Sequence, residues 1–122
     1  MSRIFFALGS GFALIAVITG AFAAHTLKSK LSPDMFQVFE VAVRYQMYHA
    51  LGLIAVAWAA SQWSSQLIAT SGWLFVAGIV IFSGSLYILS LTGVRWLGAI
   101  TPIGGVAFII GWGCLLWAAI RG

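Results

Sequence analysis

The sequence predicts an all-α membrane protein: an up-down bundle of four transmembrane helices, with an interfacial extension at the N-terminal end of helix two. Three observations carry that reading. Hydrophobic residues make up 62% of the 122 residues and charged residues only 7%. A soluble domain carries roughly 25% charged residues, so this chain cannot cover a water-facing surface. Four apolar stretches follow one another, at about 4–24, 45–60, 67–91 and 96–120, and every charge falls outside them, in the breaks or at the two ends.

The length allows one domain. The net charge of +4 rests on six cations, namely Arg3, Lys28, Lys30, Arg44, Arg95 and Arg121. They are dispersed and no aromatic residues interleave them, which argues against a nucleic-acid partner. Cations placed sparsely at segment ends instead orient a chain against anionic lipid of the lipid bilayer. Cys114 is the single cysteine, so no intrachain disulfide and no zinc-type pair can form.

Segment one runs from Ile4 to Ala24, which at 1.5 Å per residue gives about 32 Å, enough to cross the hydrocarbon. A signal peptide is the alternative, with Arg3 as its basic start and Ala21-Phe22-Ala23 as its cleavage site. The apolar run is longer than a usual signal core, which favours a span. Gly9, Ala13, Ala16, Gly20 and Ala24 form a three-four stripe that admits a close neighbour. A short polar connection with Lys28 and Lys30 follows.

Ser32-Pro33-Asp34 reads as a helix start: serine as cap, proline at the first position, aspartate at the positive end of the dipole. The helix should run unbroken to about Ala60. Its first turns are amphipathic, with Phe36, Phe39, Val43 and Met47 on one face and Gln37, Glu40, Arg44 and Tyr48 on the other. Residues 33–44 therefore read as interfacial, tilting into a span over 45–60. Glu40 precedes Arg44 by four residues, the favourable order for a helical ion pair.

Ser61 to Gln66 is a neutral turn. Segment three follows, closed by Thr92-Gly93-Val94-Arg95 with Gly93 as terminator. Segment four contains Thr101-Pro102 and Gly104-Gly105, which predict a kink or local irregularity. Trp63, Trp73 and Trp117 belong near one interface and Trp96 near the other, while Trp58 and Trp112 lie further in as packing residues. Lys28, Lys30, Arg44 and Arg95 against Arg3 and Arg121 weigh weakly for 25–44 and 92–95 in the cytoplasm.

Antiparallel spans collect the polar side chains at one membrane face. The candidate pocket there comprises His25, Glu40, Arg44, Tyr45, Gln46, Tyr48, His49, Ser83, Ser85, Tyr87 and Thr101. Ionisable groups within a span suggest function, and a helix-locking polar network is the structural alternative. Arg44 would contact an anionic group, with His25, Tyr45 and His49 fixing it by hydrogen bonds. Three sharper chemistries stand beside this. His25 and His49 at similar depth could ligate a haem. A proton-coupled transporter would want a mid-span carboxylate, and only Asp34 and Glu40 exist, both interfacial. Ser83 or Ser85 with His49 could form a nucleophile and base, but no G-x-S-x-G accompanies them. No residue is assigned a catalytic or metal-binding role, and no cofactor is expected.

The ordered series Gly20-Ala21-Phe22-Ala23-Ala24-His25, Tyr45-Gln46-Met47-Tyr48-His49, Phe82-Ser83-Gly84-Ser85-Leu86-Tyr87, Thr101-Pro102-Ile103-Gly104-Gly105 and Gly111-Trp112 resembles the YgdD/YwdK-type family of small bacterial inner-membrane proteins of unknown function. That family has related transmembrane proteins in eukaryotes. The resemblance covers nearly the whole chain and implies a four-span helical membrane protein with no established activity. His25, Tyr45, Gln46, His49, Ser83, Ser85, Tyr87, Thr101 and Pro102 fall on its motif positions. Ala23 and Thr26 stand where the family commonly has glycine.

The expectation is an integral protein of the bacterial inner (plasma) membrane, non-enzymatic, whose polar end binds a lipid headgroup, a small polar ligand or a partner membrane protein. A small transporter formed by a homo-oligomer is the alternative.

Overall fold

The computed structural model describes residues 1–121. Among them all regular structure is helical: α1 (Ser2–His25), a short 3-10 turn (Leu27–Ser29), α2 (Pro33–Gln62), α3 (Gln66–Gly78), a π-helical segment (Ile79–Ser83), α4 (Gly84–Thr92), a 3-10 segment (Arg95–Ala99) and α5 (Thr101–Arg121). Because α3, the π segment and α4 are continuous, the chain has four long arms.

The helix ends follow local chemistry. The Ser32 hydroxyl accepts from the Met35 amide at 3.2 Å, with Pro33 in the first turn. Ser65 caps α3 in the same way, accepting from Leu67 N at 3.2 Å. Gly93 closes α4 in the left-handed conformation, φ 75°, and its amide bonds the Leu89 carbonyl at 2.7 Å. Only glycine takes that conformation without strain.

The irregularity expected in segment four is a break at Ile100, between the 3-10 segment and α5. Pro102 thus falls in the first turn of α5, where its missing N–H removes no helical hydrogen bond. The π segment was not foreseen. It lies where α5 comes closest: a Cβ on Gly104 would stand 2.5 Å from Phe82 N. Its wider turn shifts the helical phase, and Ser83 at its end donates to the Ala42 carbonyl of α2 at 2.7 Å.

Neighbouring arms are antiparallel. Gly9 of α1 abuts Ala50 and Leu53 of α2, while Gly20 faces Val43. Gly52 of α2 abuts Phe75, and Ala42 meets Ser83. Gly111 of α5 abuts Phe75, and Gly104 abuts Phe82. The bundle therefore runs up-down-up-down. Small residues let the backbones approach, as packing between membrane helices requires. On α1 the buried small residues are Gly9, Ala16 and Ala23; Ala24 is exposed, so the small-residue stripe ends one position earlier than expected.

The main core joins Phe5, Leu53, Val56, Ile68, Phe75 and Phe108. A smaller cluster of Ala23, Leu27 and Phe39 closes the end that holds the 3-10 turn. Three arms, Ser2–His25, Gln66–Thr92 and Arg95–Arg121, are long and apolar enough to cross a membrane. Helix α2 is longer, 30 residues or about 45 Å, but more polar. It is also the arm that packs against all the others.

Candidate functional site

The polar side chains of α2 divide between an inward and an outward face. Inward, Gln46 is 3% exposed and held from both ends. Its Nε2 donates to the Phe12 carbonyl of α1 at 2.9 Å, and its Oε1 accepts the Tyr87 hydroxyl of α4 at 2.7 Å. The Tyr87 oxygen also lies 3.2 Å from Thr19 Oγ1. Its only proton is committed to Gln46, so at this contact it can only accept, from a Thr19 hydroxyl that is equally close to the Ala16 carbonyl, 3.2 Å. One amide thus ties three helices together.

His49, one turn further along α2, is 5% exposed. Trp112 Nε1 of α5 lies 3.0 Å from His49 Nε2. Indole nitrogen only donates, so Nε2 accepts. The proton is then on Nδ1, which donates to the Tyr45 carbonyl at 2.8 Å. The ring is a neutral imidazole of fixed tautomer, stacked on Phe108 at 3.5 Å between centroids and edge-on to Phe75 at 5.3 Å. Nearer the chain's polar end, Ser85 bonds Thr101 across α4 and α5, and Ser90 donates to the Tyr87 carbonyl at 2.9 Å.

Of the candidate residues, Gln46, His49, Ser83, Ser85 and Thr101 are buried and Tyr87 is half-buried; His25, Glu40, Arg44, Tyr45 and Tyr48 are exposed. The structure brings together Gln46 with Tyr87, and Ser85 with Thr101. It does not bring together His25 and His49. Helix α2 meets Phe12 of α1 at Gln46, and His25 lies 13 residues beyond Phe12, or about 20 Å along the bundle. Two axial ligands of one iron cannot be that far apart, and both nitrogens of His49 are in use. The haem reading fails on this geometry.

The hydrolase reading fails likewise. The Ser83 hydroxyl donates to the Ala42 carbonyl and Ser85 bonds the Phe82 carbonyl and Thr101, so neither hydroxyl is paired with His49. His49 and Trp112 are in direct contact, with Phe108 stacked on the imidazole and Phe75 packed against both rings. The openings found are surface grooves, such as one of about 340 Å³ between α2 and α5 walled by Trp58, Trp63 and Trp112.

Three participants escaped the sequence reading. Thr19 stood among small residues, where a hydroxyl signals a polar neighbour. Trp112 passed for a packing residue, although an indole N–H inside lipid needs an acceptor. The Phe12 contribution is a backbone carbonyl and left no signal.

Outward, Tyr45 and Tyr48 are 39% and 53% exposed, their rings edge to face at 5.5 Å. Glu40 and Arg44 share that exposed side. Their depth follows from the α1 contacts. Val43 lies opposite Gly20, and Ala50 and Leu53 lie opposite Gly9. Between these two contacts, Arg44 falls level with about residue 19 of α1. Tyr48 falls level with about residue 14, the middle of the apolar run 4–24.

Residues 19–105 match the model of a family described as "Protein of unknown function (DUF423)". The chain belongs to the DUF423 family. It is 52% identical over 120 residues to the UPF0382 membrane protein YwdK of Bacillus subtilis, covering 98% of each chain. It is 52% identical over 119 residues to the UPF0382 membrane protein SERP0230 of Staphylococcus epidermidis, covering 98% of this chain and 97% of that one. A third relative, SSP2132 of Staphylococcus saprophyticus, is 54% identical over 110 residues, covering 90% and 91%. No solved structure matches this DUF423 chain. These names carry no enzymatic activity. With its three apolar helices of crossing length, this DUF423 protein is an integral protein of the bacterial plasma (inner) membrane. The stretch matched by the family model holds Thr19, Gln46, His49, Tyr87 and Thr101, together with the exposed Glu40, Arg44 and Tyr48.

Proposed function

We propose that this DUF423 chain is a non-enzymatic, four-span membrane protein that docks another membrane-spanning protein through the outward face of α2. Helix α2 is the fourth span. It is antiparallel to α1 over the whole length between Gly9 and Gly20, so it crosses where α1 crosses. Part of its low hydropathy comes from Gln46 and His49, whose polar atoms are satisfied inside the bundle, and the rest from outward residues such as Glu40 and Arg44. In this reading it enters the hydrocarbon near Glu40, since Val43 lies opposite Gly20. The preceding turns from Pro33 lie at the interface.

The observation that carries the reading is Tyr48, 53% exposed at the level of the middle of α1's apolar run. A phenol cannot reach headgroups from there, and a polar group left in hydrocarbon is costly. Arg44, one turn nearer the surface, adds to the demand. An arginine at mid-membrane costs about 2.5–3.5 kcal/mol on insertion scales, less where it can snorkel. The bundle's own hydrogen bonds go elsewhere, to Thr19, Gln46, His49, Tyr87 and Trp112. A protein surface against α2 supplies what lipid tails do not.

The test is a photo-reactive phenylalanine analogue at Tyr48 in intact cell membranes. Ile109 on α5, 73% exposed, serves as the lipid-facing control. A discrete protein adduct at Tyr48 and none at Ile109 is expected. Lipid adducts alone at both positions would overturn the reading in favour of a headgroup or acyl-chain site.

A further inference from the structure

We infer that the protein docked on α2 is a second copy of this chain, related by a twofold axis along the membrane normal. This rests on the docking reading above and names its partner. Two copies inserted in the same direction present the same residues at the same depth. An interface between them is therefore isologous, each surface meeting itself. The outward face of α2 is built to meet itself.

Its two charges are of opposite sign and one turn apart: Glu40, and Arg44 deeper. Side chains on a helix lean toward its N-terminus. The long Arg44 side chain thus leans toward the level of Glu40, and across the twofold axis it meets Glu40 of the partner subunit. The same pairing occurs twice. At the next turn, Tyr48 faces its symmetry mate, and a phenol both donates and accepts. Two such hydroxyls satisfy each other at a depth no headgroup reaches. Beyond Tyr48 the face is apolar, with Leu51 and Ala55 exposed, and the small Ala55 admits close approach.

A lipid headgroup fits this face less well. It would neutralise Arg44 but repel Glu40 and leave Tyr48 in the tails. A second copy compensates all three.

The experiment uses two copies of the full chain carrying different tags, co-expressed and purified together in detergent or nanodiscs. Native copies are expected to co-purify, with a dimer in native mass spectra. E40R alone and R44E alone each place like charges across the axis, so each should lose self-association on the order of tenfold, about 1.4 kcal/mol. An E40R copy co-expressed with an R44E copy should associate at native level, since each then faces opposite charges. An ion pair within one helix cannot produce that cross-rescue. Helix content by circular dichroism checks that each variant is folded, and the photo-reactive analogue at Tyr48 in the otherwise native chain gives a second readout.

A Tyr48 adduct at twice the chain mass, with cross-rescue, supports the inference. Native copies that fail to co-purify, or single variants that self-associate as the native chain does, overturn it. A Tyr48 adduct to a different protein would also overturn the second copy while leaving the docking reading intact. Lipid adducts alone would remove both.

Discussion

Replacing Gly104 by alanine should destabilise the bundle, although alanine is the better helix former. Gly104 lies on α5 against the π segment. A methyl group built there would stand 2.5 Å from Phe82 N, 2.8 Å from its Cβ and 2.9 Å from its Cα. Those atoms belong to the backbone and its first carbon, so no rotamer change can clear them. Either α5 retreats or the π turn is remodelled. Overpacking of this kind costs about 1–3 kcal/mol, and the helix-propensity gain from glycine to alanine is about 1 kcal/mol at most. Gly113, on the same helix, has nothing within 4 Å of its Cβ position, so G113A collects the propensity gain alone. The two variants should therefore differ in unfolding free energy by about 1–3 kcal/mol, with G104A the weaker. Reversible unfolding in mixed micelles of mild and ionic detergent, followed by helical ellipticity, measures the difference. Equal midpoints for the two variants would refute the close backbone contact between α5 and the π segment.

Gln46→Leu removes two inter-helix hydrogen bonds. Such bonds are worth about 0.6 kcal/mol each on average inside membranes, at most about 1.7, so a loss of about 1–2 kcal/mol is expected in the same unfolding assay. Tyr87→Phe breaks one of those two bonds, so the Q46L/Y87F double variant should lose less than the sum of the singles; strict additivity would mean the bond is absent. In nitrogen-15 NMR of histidine-labelled protein, His49 should show a protonated Nδ1 and an accepting Nε2. Trp112→Phe should shift the Nε2 resonance and leave that of His25 in place, and a native His49 protonated on Nε2 would contradict the Trp112 hydrogen bond. Gly93→Ala places a side chain at φ 75° and should cost about 1–2 kcal/mol; a cost near zero would argue against the left-handed cap.

Much of the helical outline was legible because helix ends are local. Ser32-Pro33-Asp34 and Gly93 announce a start and a stop by chemistry that needs no neighbour. The π segment was not legible, because it depends on how Gly104 of α5 meets Phe82, two residues 22 positions apart. The site was legible by composition but not by direction. Polar residues of α2 were visible as a group, whereas their division into an inward set (Gln46, His49) and an outward set (Glu40, Arg44, Tyr45, Tyr48) depends on where α1, α4 and α5 pack. The two histidines show the limit most clearly. Counting from segment boundaries puts both near the polar end, but α2 packs on α1 with Val43 against Gly20. That register carries His49 into the middle of the bundle and leaves His25 at its rim.

Hydropathy judges each helix as if it stood alone, and α2 is the helix for which that assumption fails. Its inward polar atoms are matched one to one: Gln46 by Phe12 and Tyr87, His49 by Trp112 and its own Tyr45 carbonyl. Once α1, α4 and α5 are in place, those groups cost the membrane nothing further. The same account cannot be given for the outward set, since Glu40, Arg44 and Tyr48 are exposed. If the chain needed α2 only as a strut, apolar residues at 40, 44 and 48 would insert more easily and pack as well. A bundle that satisfies its interior so fully, and still carries two opposite charges and a phenol along one outer stripe, directs that stripe at something beyond itself.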